Sequence, residues 1–221
     1  LNVFDGNLYV SKGSGGNGDD GVFQVGSGLP TTTGNTITKL LGDPATDPET
    51  GASSALTPFG FWFANATTLY IADEGNPNTD SNGNLIVDPL AGLQKWSLVN
   101  GSWQIDYVLQ AGLDLGVAKN VPGYPVSTTT YGLRNMTGKV NPDGTATVYA
   151  ITAQFSSVSG GEPDPTNLVV ITDSLGATTL PTPGRFADDE QFVTLKNSGA
   201  GEVFRGVAFA PCTRPGAKCG L

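Results

Sequence analysis

Three short apolar segments recur along this chain with one local grammar, and their spacing restricts the folds open to it. They are Asn7-Leu8-Tyr9-Val10, Thr68-Leu69-Tyr70-Ile71 and Thr147-Val148-Tyr149-Ala150. Each runs into a segment rich in Gly, Asp, Asn and Pro and then into a second apolar run, starting at Gly21, Gly92 and Asn167. The three tyrosines stand 61 and 79 residues apart. That is longer than most solenoid periods and close to one four-stranded antiparallel unit with large loops.

The second unit is the clearest. An apolar strand at 59–63 turns at Asn65-Ala66-Thr67 into a strand at 69–73, and a long loop at 74–91 leads to a strand at 92–99. Asn100-Gly101 is a strong two-residue hairpin signal. The strand behind it, 102–110, alternates Trp103, Ile105, Tyr107 and Leu109 with polar residues, so one face is apolar. The third unit repeats the plan at 131–140, 145–153, 167–173 and 191–196. The first has strands at 8–12, 21–26 and 36–41, with only a remnant of an innermost strand before Asp5-Gly6. With 31 Gly and 15 Pro among plentiful β-branched residues, the chain reads as many short strands and turns, with almost no helix. No apolar run approaches the roughly 20 residues of a membrane helix.

The expected fold is therefore all-β: β-propeller blades of four antiparallel strands in one domain, 1–221. Modules fall at about 1–42, 59–110 and 131–197. Residues 203–211 are expected to form a surplus innermost, closing strand, ahead of a Cys-bounded tail at 212–221. Three blades do not close a ring, so the expected partner is either a missing N-terminal half of a six- or seven-bladed propeller or a second copy.

Twenty acidic against eleven basic residues give a net charge of -9, which argues against nucleic acid or an anionic membrane as partner and is permissive for cations. The chain has no histidine, so Ser-His-Asp and Cys-His catalysis and most zinc or copper sites are excluded from it. Cys212 and Cys219 flank a Pro-Gly turn that makes a local disulfide geometrically easy. Three glycosylation sequons start at Asn65, Asn100 and Asn135. Together these favour a secreted or otherwise extracytoplasmic protein.

Gly13-Ser14-Gly15-Gly16-Asn17-Gly18 matches a dinucleotide fingerprint, yet Asp19 and Asp20 lead straight into another strand, so no nucleotide cofactor is expected. The run 78–83 resembles the start of a calcium loop, but Pro89 stands where an EF-hand needs its bidentate Glu. In the blade plan, thirteen of the twenty acids fall on the loops of one face. Asp19/Asp20, Asp73/Glu74 and Glu162/Asp164 occupy equivalent positions in the three units. With Asp80 they are the candidate ligands of a calcium ion, the candidate cofactor. The aromatic group Phe59, Phe61, Trp62, Phe63, Trp96, Trp103 and Tyr107 reads as core packing between blades, with a sugar platform as the other reading.

The repeated Leu-Tyr-Val/Ile strands and the Arg205-Gly206-Val207-Ala208-Phe209 strand resemble those of secreted β-propeller proteins, including NHL-type and phytase-like propellers, over nearly the whole chain. For phytase-like and lactonase members the resemblance implies an acidic, calcium-bearing face. No Lys/Arg-rich phosphate pocket is visible. The expected function is an extracytoplasmic binding or scaffold module, calcium-stabilised, with a cation or carbohydrate as ligand. The alternative is a calcium-dependent hydrolase in which loop carboxylates hold the metal and a metal-bound water attacks.

Overall fold

A computed structural model describes residues 1–13, 19–42, 45–47, 51, 53–157, 164–181 and 190–210. Among these every regular element is a strand. The first sheet contains β1 (Asn2–Phe4), β2 (Asn7–Lys12), β3 (Gly21–Val25) and β4 (Ile37–Gly42) in sequential antiparallel order. A small ribbon, β5 (Ala45–Thr46) with β6 (Ser53–Ser54), follows. The second sheet runs β7 (Pro58–Asn65), β8 (Thr68–Asp73), β9 (Gly92–Val99) and β10 (Ser102–Leu109). The third adds a short edge, β11 (Ala118–Lys119), to β12 (Thr128–Val140), β13 (Thr145–Phe155), β14 (Asn167–Ser174) and β15 (Val193–Asn197).

The hairpins follow from turn chemistry. Asp5-Gly6 and Asn100-Gly101 take positive φ at both central residues (44° and 70°, 51° and 83°). A I′ turn requires this, and its twist suits the flanking strands. They set the registers Phe4↔Asn7 and Val99↔Ser102.

The second sheet is packed on both sides, and β8 shows why its sequence is apolar throughout. Side chains alternate across a strand. Leu69 and Ile71 enter one core with Tyr9, Val22, Leu41, Phe61, Phe63 and Trp96. Tyr70 and Ala72 enter another with Leu93, Tyr107, Leu133, Val148 and Ile171. β7 lies against both β2 and β12. Glycines allow the close approach of the second and third sheets: a Cβ at Gly132 would sit 2.0 Å from the Glu74 carbonyl oxygen, and one at Gly138 2.4 Å from the Trp62 ring.

Most of the aromatic group packs as core. Phe61, Phe63, Trp96 and Tyr107 are buried, and Trp62 and Trp103 lie half-buried against them. Phe59 is a correction at 43% exposed; its ring lies under the Arg134 guanidinium, 5.4 Å away. Residues 203–210, expected to form most of a closing strand, join no ladder within this chain. Side-chain contacts hold this segment against the third sheet instead. Phe204 N–H donates to Thr166 Oγ1 (2.7 Å), Asn135 Nδ2 donates to the Arg205 carbonyl, and the Phe209 ring meets Tyr149 edge-on at 5.7 Å. Residue 211 and the cysteine-bounded tail lie outside the described residues.

Candidate functional site

The acids expected to bind metal are spread over the sheet ends, and each described one already has partners. Asp73, at the end of β8, is fully buried. It accepts from Thr57 N–H (3.0 Å) and Oγ1 (2.5 Å), Gly75 N–H (2.8 Å) and Gln94 Nε2 (3.0 Å). Burial pushes its carboxyl up to about 7, against the opposing pull of these bonds. Glu74 is clamped by Arg134 Nη2 (2.6 Å), Arg134 Nε (3.0 Å) and the Tyr131 hydroxyl (2.6 Å). Asp19 pairs with Lys39 at 2.9 Å and Asp20 with Lys12 at 3.1 Å. The hydrogen bond from Lys39 holds Asp19 below the usual carboxylate range.

Asp80 caps its own loop, accepting from Asn84 N–H (2.9 Å) and Asn82 N–H (2.8 Å), and these bonds lower its pKa. Asp164 is buried and accepts from Tyr124 (2.5 Å) and Ser156 (2.7 Å). Glu162, Cys212 and Cys219 lie outside the described residues. Among the described residues no three acidic, Cys or His side chains converge on a point that could hold a metal ion. The acidic face also meets more positive charge than its loops suggest, because Lys39 and Arg134 reach it from β4 and β12. Of the sequons, Asn65 and Asn100 lie at the β7–β8 and β9–β10 turns, while Asn135 sits within β12.

The densest group of ionisable side chains lies elsewhere, between the second and third sheets. Lys95 of β9 and Asp173 of β14 are both fully enclosed, 2.9 Å apart. Lys95 Nζ also donates to the Tyr107 hydroxyl (2.9 Å) and to the Ser174 carbonyl (2.5 Å), so its three N–H donors are matched. Tyr107 donates to Asp173 Oδ1 (2.5 Å) and Tyr70 donates to Oδ2. Desolvation first, and then the Asp173 charge, push both phenols far up, so both stay protonated and donate to Asp173.

Glu190 borders this centre beside a cavity of about 320 Å³ whose wall includes Asp143, Thr145 and Asp173. Its Oε1 accepts from Ser174 N–H (3.2 Å), while Oε2 is buried with no partner among the described residues. Desolvation and the neighbouring Asp173 charge push the Glu190 carboxyl up to about 7. The Glu190 carboxyl can hold or release a proton near neutrality, while Lys95, Tyr70 and Tyr107 are all engaged with Asp173. The centre therefore ties two sheets together.

Sequence reasoning missed this centre. One signal was present: Lys95 interrupts a strand whose neighbours Leu93, Gln94 and Trp96 are buried, and a lysine there needs a partner. Asp173 and Glu190 gave no local signal.

A second concave surface lies at one end of the third sheet. A groove of about 410 Å³ opens there between the 119–122 loop and the ends of β12 to β15. Its floor is uncharged and polar: Thr128, Thr130 and Gln154 are buried in it, with Asn167 and Asn197 across the sheet. Compared with known proteins, the chain matches no family model, no curated protein and no solved structure.

Proposed function

We propose that the chain supplies three blades of a β-propeller and acts as an extracytoplasmic binding and scaffold module without catalysis of its own. One observation carries this reading: three successive antiparallel meanders stack side by side, with β7 lying between β2 and β12. That is the arrangement consecutive blades adopt around an axis. Partner blades, from further chain or from a second copy, would pack on the free face of the third sheet, where Val193 and Leu195 of β15 are exposed at 56% and 51%. Among the described residues, the carboxylates a hydrolase would need for calcium instead hold loops and strand ends.

Two measurements test this. Native mass spectrometry of the natural protein should show a species heavier than the 22.7 kDa of this chain; a monomer of that mass overturns the ring. Assays with phytate and with a γ-lactone, with calcium and with EDTA, should show no turnover above background. Turnover abolished by EDTA would replace the scaffold reading with the calcium-dependent hydrolase.

A further inference from the structure

The groove on the third sheet is a ligand site, and we infer that it takes an uncharged polyhydroxylated molecule, a neutral mono- or disaccharide. The inference rests on the binding-module reading and gives that module a ligand class and an address. The groove's volume, about 410 Å³, lies within the roughly 300–1,000 Å³ of small-molecule sites.

The chemistry of the floor decides the ligand. Gln154 Nε2 donates to the hydroxyls of Thr130 (3.0 Å) and Thr152 (2.9 Å), so its donors are used. This fixes the side chain with Oε1 as an acceptor that no described residue takes, and leaves the Thr130 hydroxyl free to donate. The Thr128 hydroxyl and the Asn167 and Asn197 side-chain amides likewise have no partner among the described residues. Donors and acceptors thus alternate across four strands: Thr130 faces Gln154 in one register pair, and Asn167 faces Asn197 in another.

A sugar hydroxyl donates and accepts, and suits such a mixed surface. A carboxylate or ammonium would lose hydration there without gaining a counter-charge. Among the described residues the one charged side chain lining the groove, Lys119, is bound to Asp114 at 2.6 Å. Val121 and Pro122 supply an apolar wall for the C–H face of a ring. Rigidity favours binding as well, because the floor side chains stand on paired strands and lose little freedom when a ligand arrives.

Ligand-observed saturation-transfer NMR tests this with D-glucose, D-galactose, N-acetyl-D-glucosamine, maltose and cellobiose, against D-glucuronate and D-glucosamine as charged comparators. At least one neutral sugar should bind, and its charged analogue about tenfold more weakly. Asn197→Leu, at an exposed position, should weaken binding several-fold. Thr128→Val added to it should bring the loss to about tenfold or more, since each removes hydrogen-bonding capacity worth roughly 1 kcal/mol. Circular dichroism confirms that both variants stay folded, and the single surface variant suffices if the double one does not.

Saturation by none of the neutral sugars, undiminished binding by the folded Asn197→Leu variant, or equal binding of D-glucuronate would overturn the inference. These outcomes leave the scaffold reading standing. EDTA-sensitive turnover of phytate or lactone would remove that reading whatever the sugars do.

Discussion

Lys95 Nζ lies 2.9 Å from the Asp173 carboxylate, and neither side chain reaches solvent. The pair joins β9 of one sheet to β14 of the next, and Tyr70 and Tyr107 complete its bonding. Removing one partner leaves an uncompensated buried charge, which typically costs 3–5 kcal/mol, whereas replacing both by apolar groups can be neutral. Lys95→Met should therefore lower the urea unfolding free energy by about 3–5 kcal/mol. Lys95→Met combined with Asp173→Leu should recover at least half of that loss. A Lys95→Met variant as stable as the parent would show that the pair does not bind the sheets.

Stability should fall as pH rises from about 4.5 to 7. Glu190 and Asp73 both have folded pKa values near 7, above the 4.5 and 3.8 of the free side chains. In that window the folded state holds protons that the unfolded state has released, so the stabilising contribution is present at low pH and lost as pH passes 7. Asp106, also raised by burial, acts in the same sense. The lowered groups Asp19, Asp80 and Asp143 act below this window. Calorimetry should give a higher Tm at pH 5 than at pH 8. Glu190→Gln, which keeps the shape and removes the charge, should stabilise the protein at pH 8 by about 1–2 kcal/mol after allowance for solvent screening at the cavity. It should leave pH 5 nearly unchanged.

Calcium removal should not change Tm. An ion at Asp73 would have to displace four donors, and one at Glu74 the Arg134 fork. A fall of more than a few degrees on adding EDTA to protein prepared with calcium would refute this account.

Gly132→Ala should destabilise strongly. Its Cβ would lie 2.0 Å from the Glu74 carbonyl oxygen, which belongs to backbone and cannot swing away. Overpacking of this kind costs typically 1–3 kcal/mol, seen here as a Tm loss of about 2–4 °C per kcal/mol for a chain of this length. Gly144→Ala is a comparison for positive φ alone, with φ at 85° and no neighbour within 4 Å of the added carbon.

Much of the strand order was legible because alternation and turn chemistry are local. Asn100-Gly101 and Asp5-Gly6 mark their hairpins by backbone preference alone, and β9 spans 92–99 as its apolar run indicates. The segment 203–210 has strand composition in Val203-Phe204 and Val207-Ala208-Phe209 but joins no ladder within this chain. Whether a strand forms depends on an available ladder partner, and here Thr166 and Asn135 take its backbone groups. The acidic loops were visible as charge, but their counter-charges Lys39 and Arg134 lie in distant strands.

The repeated tyrosines show where sequence ends and tertiary structure begins. Sequence alone placed Tyr9, Tyr70 and Tyr149 at one position of successive meanders, because a period-2 pattern between turn signals is set by nearest neighbours. It did not determine their fates. Tyr9 packs on Phe63 at 4.8 Å, Tyr149 meets Phe209, and Tyr70 alone hydrogen-bonds a buried carboxylate, from a residue 103 positions away. Local grammar fixes which residues share one face of a strand. What an inward residue meets depends on how separate sheets stack, and only the folded chain brings Lys95, Asp173 and Glu190 together.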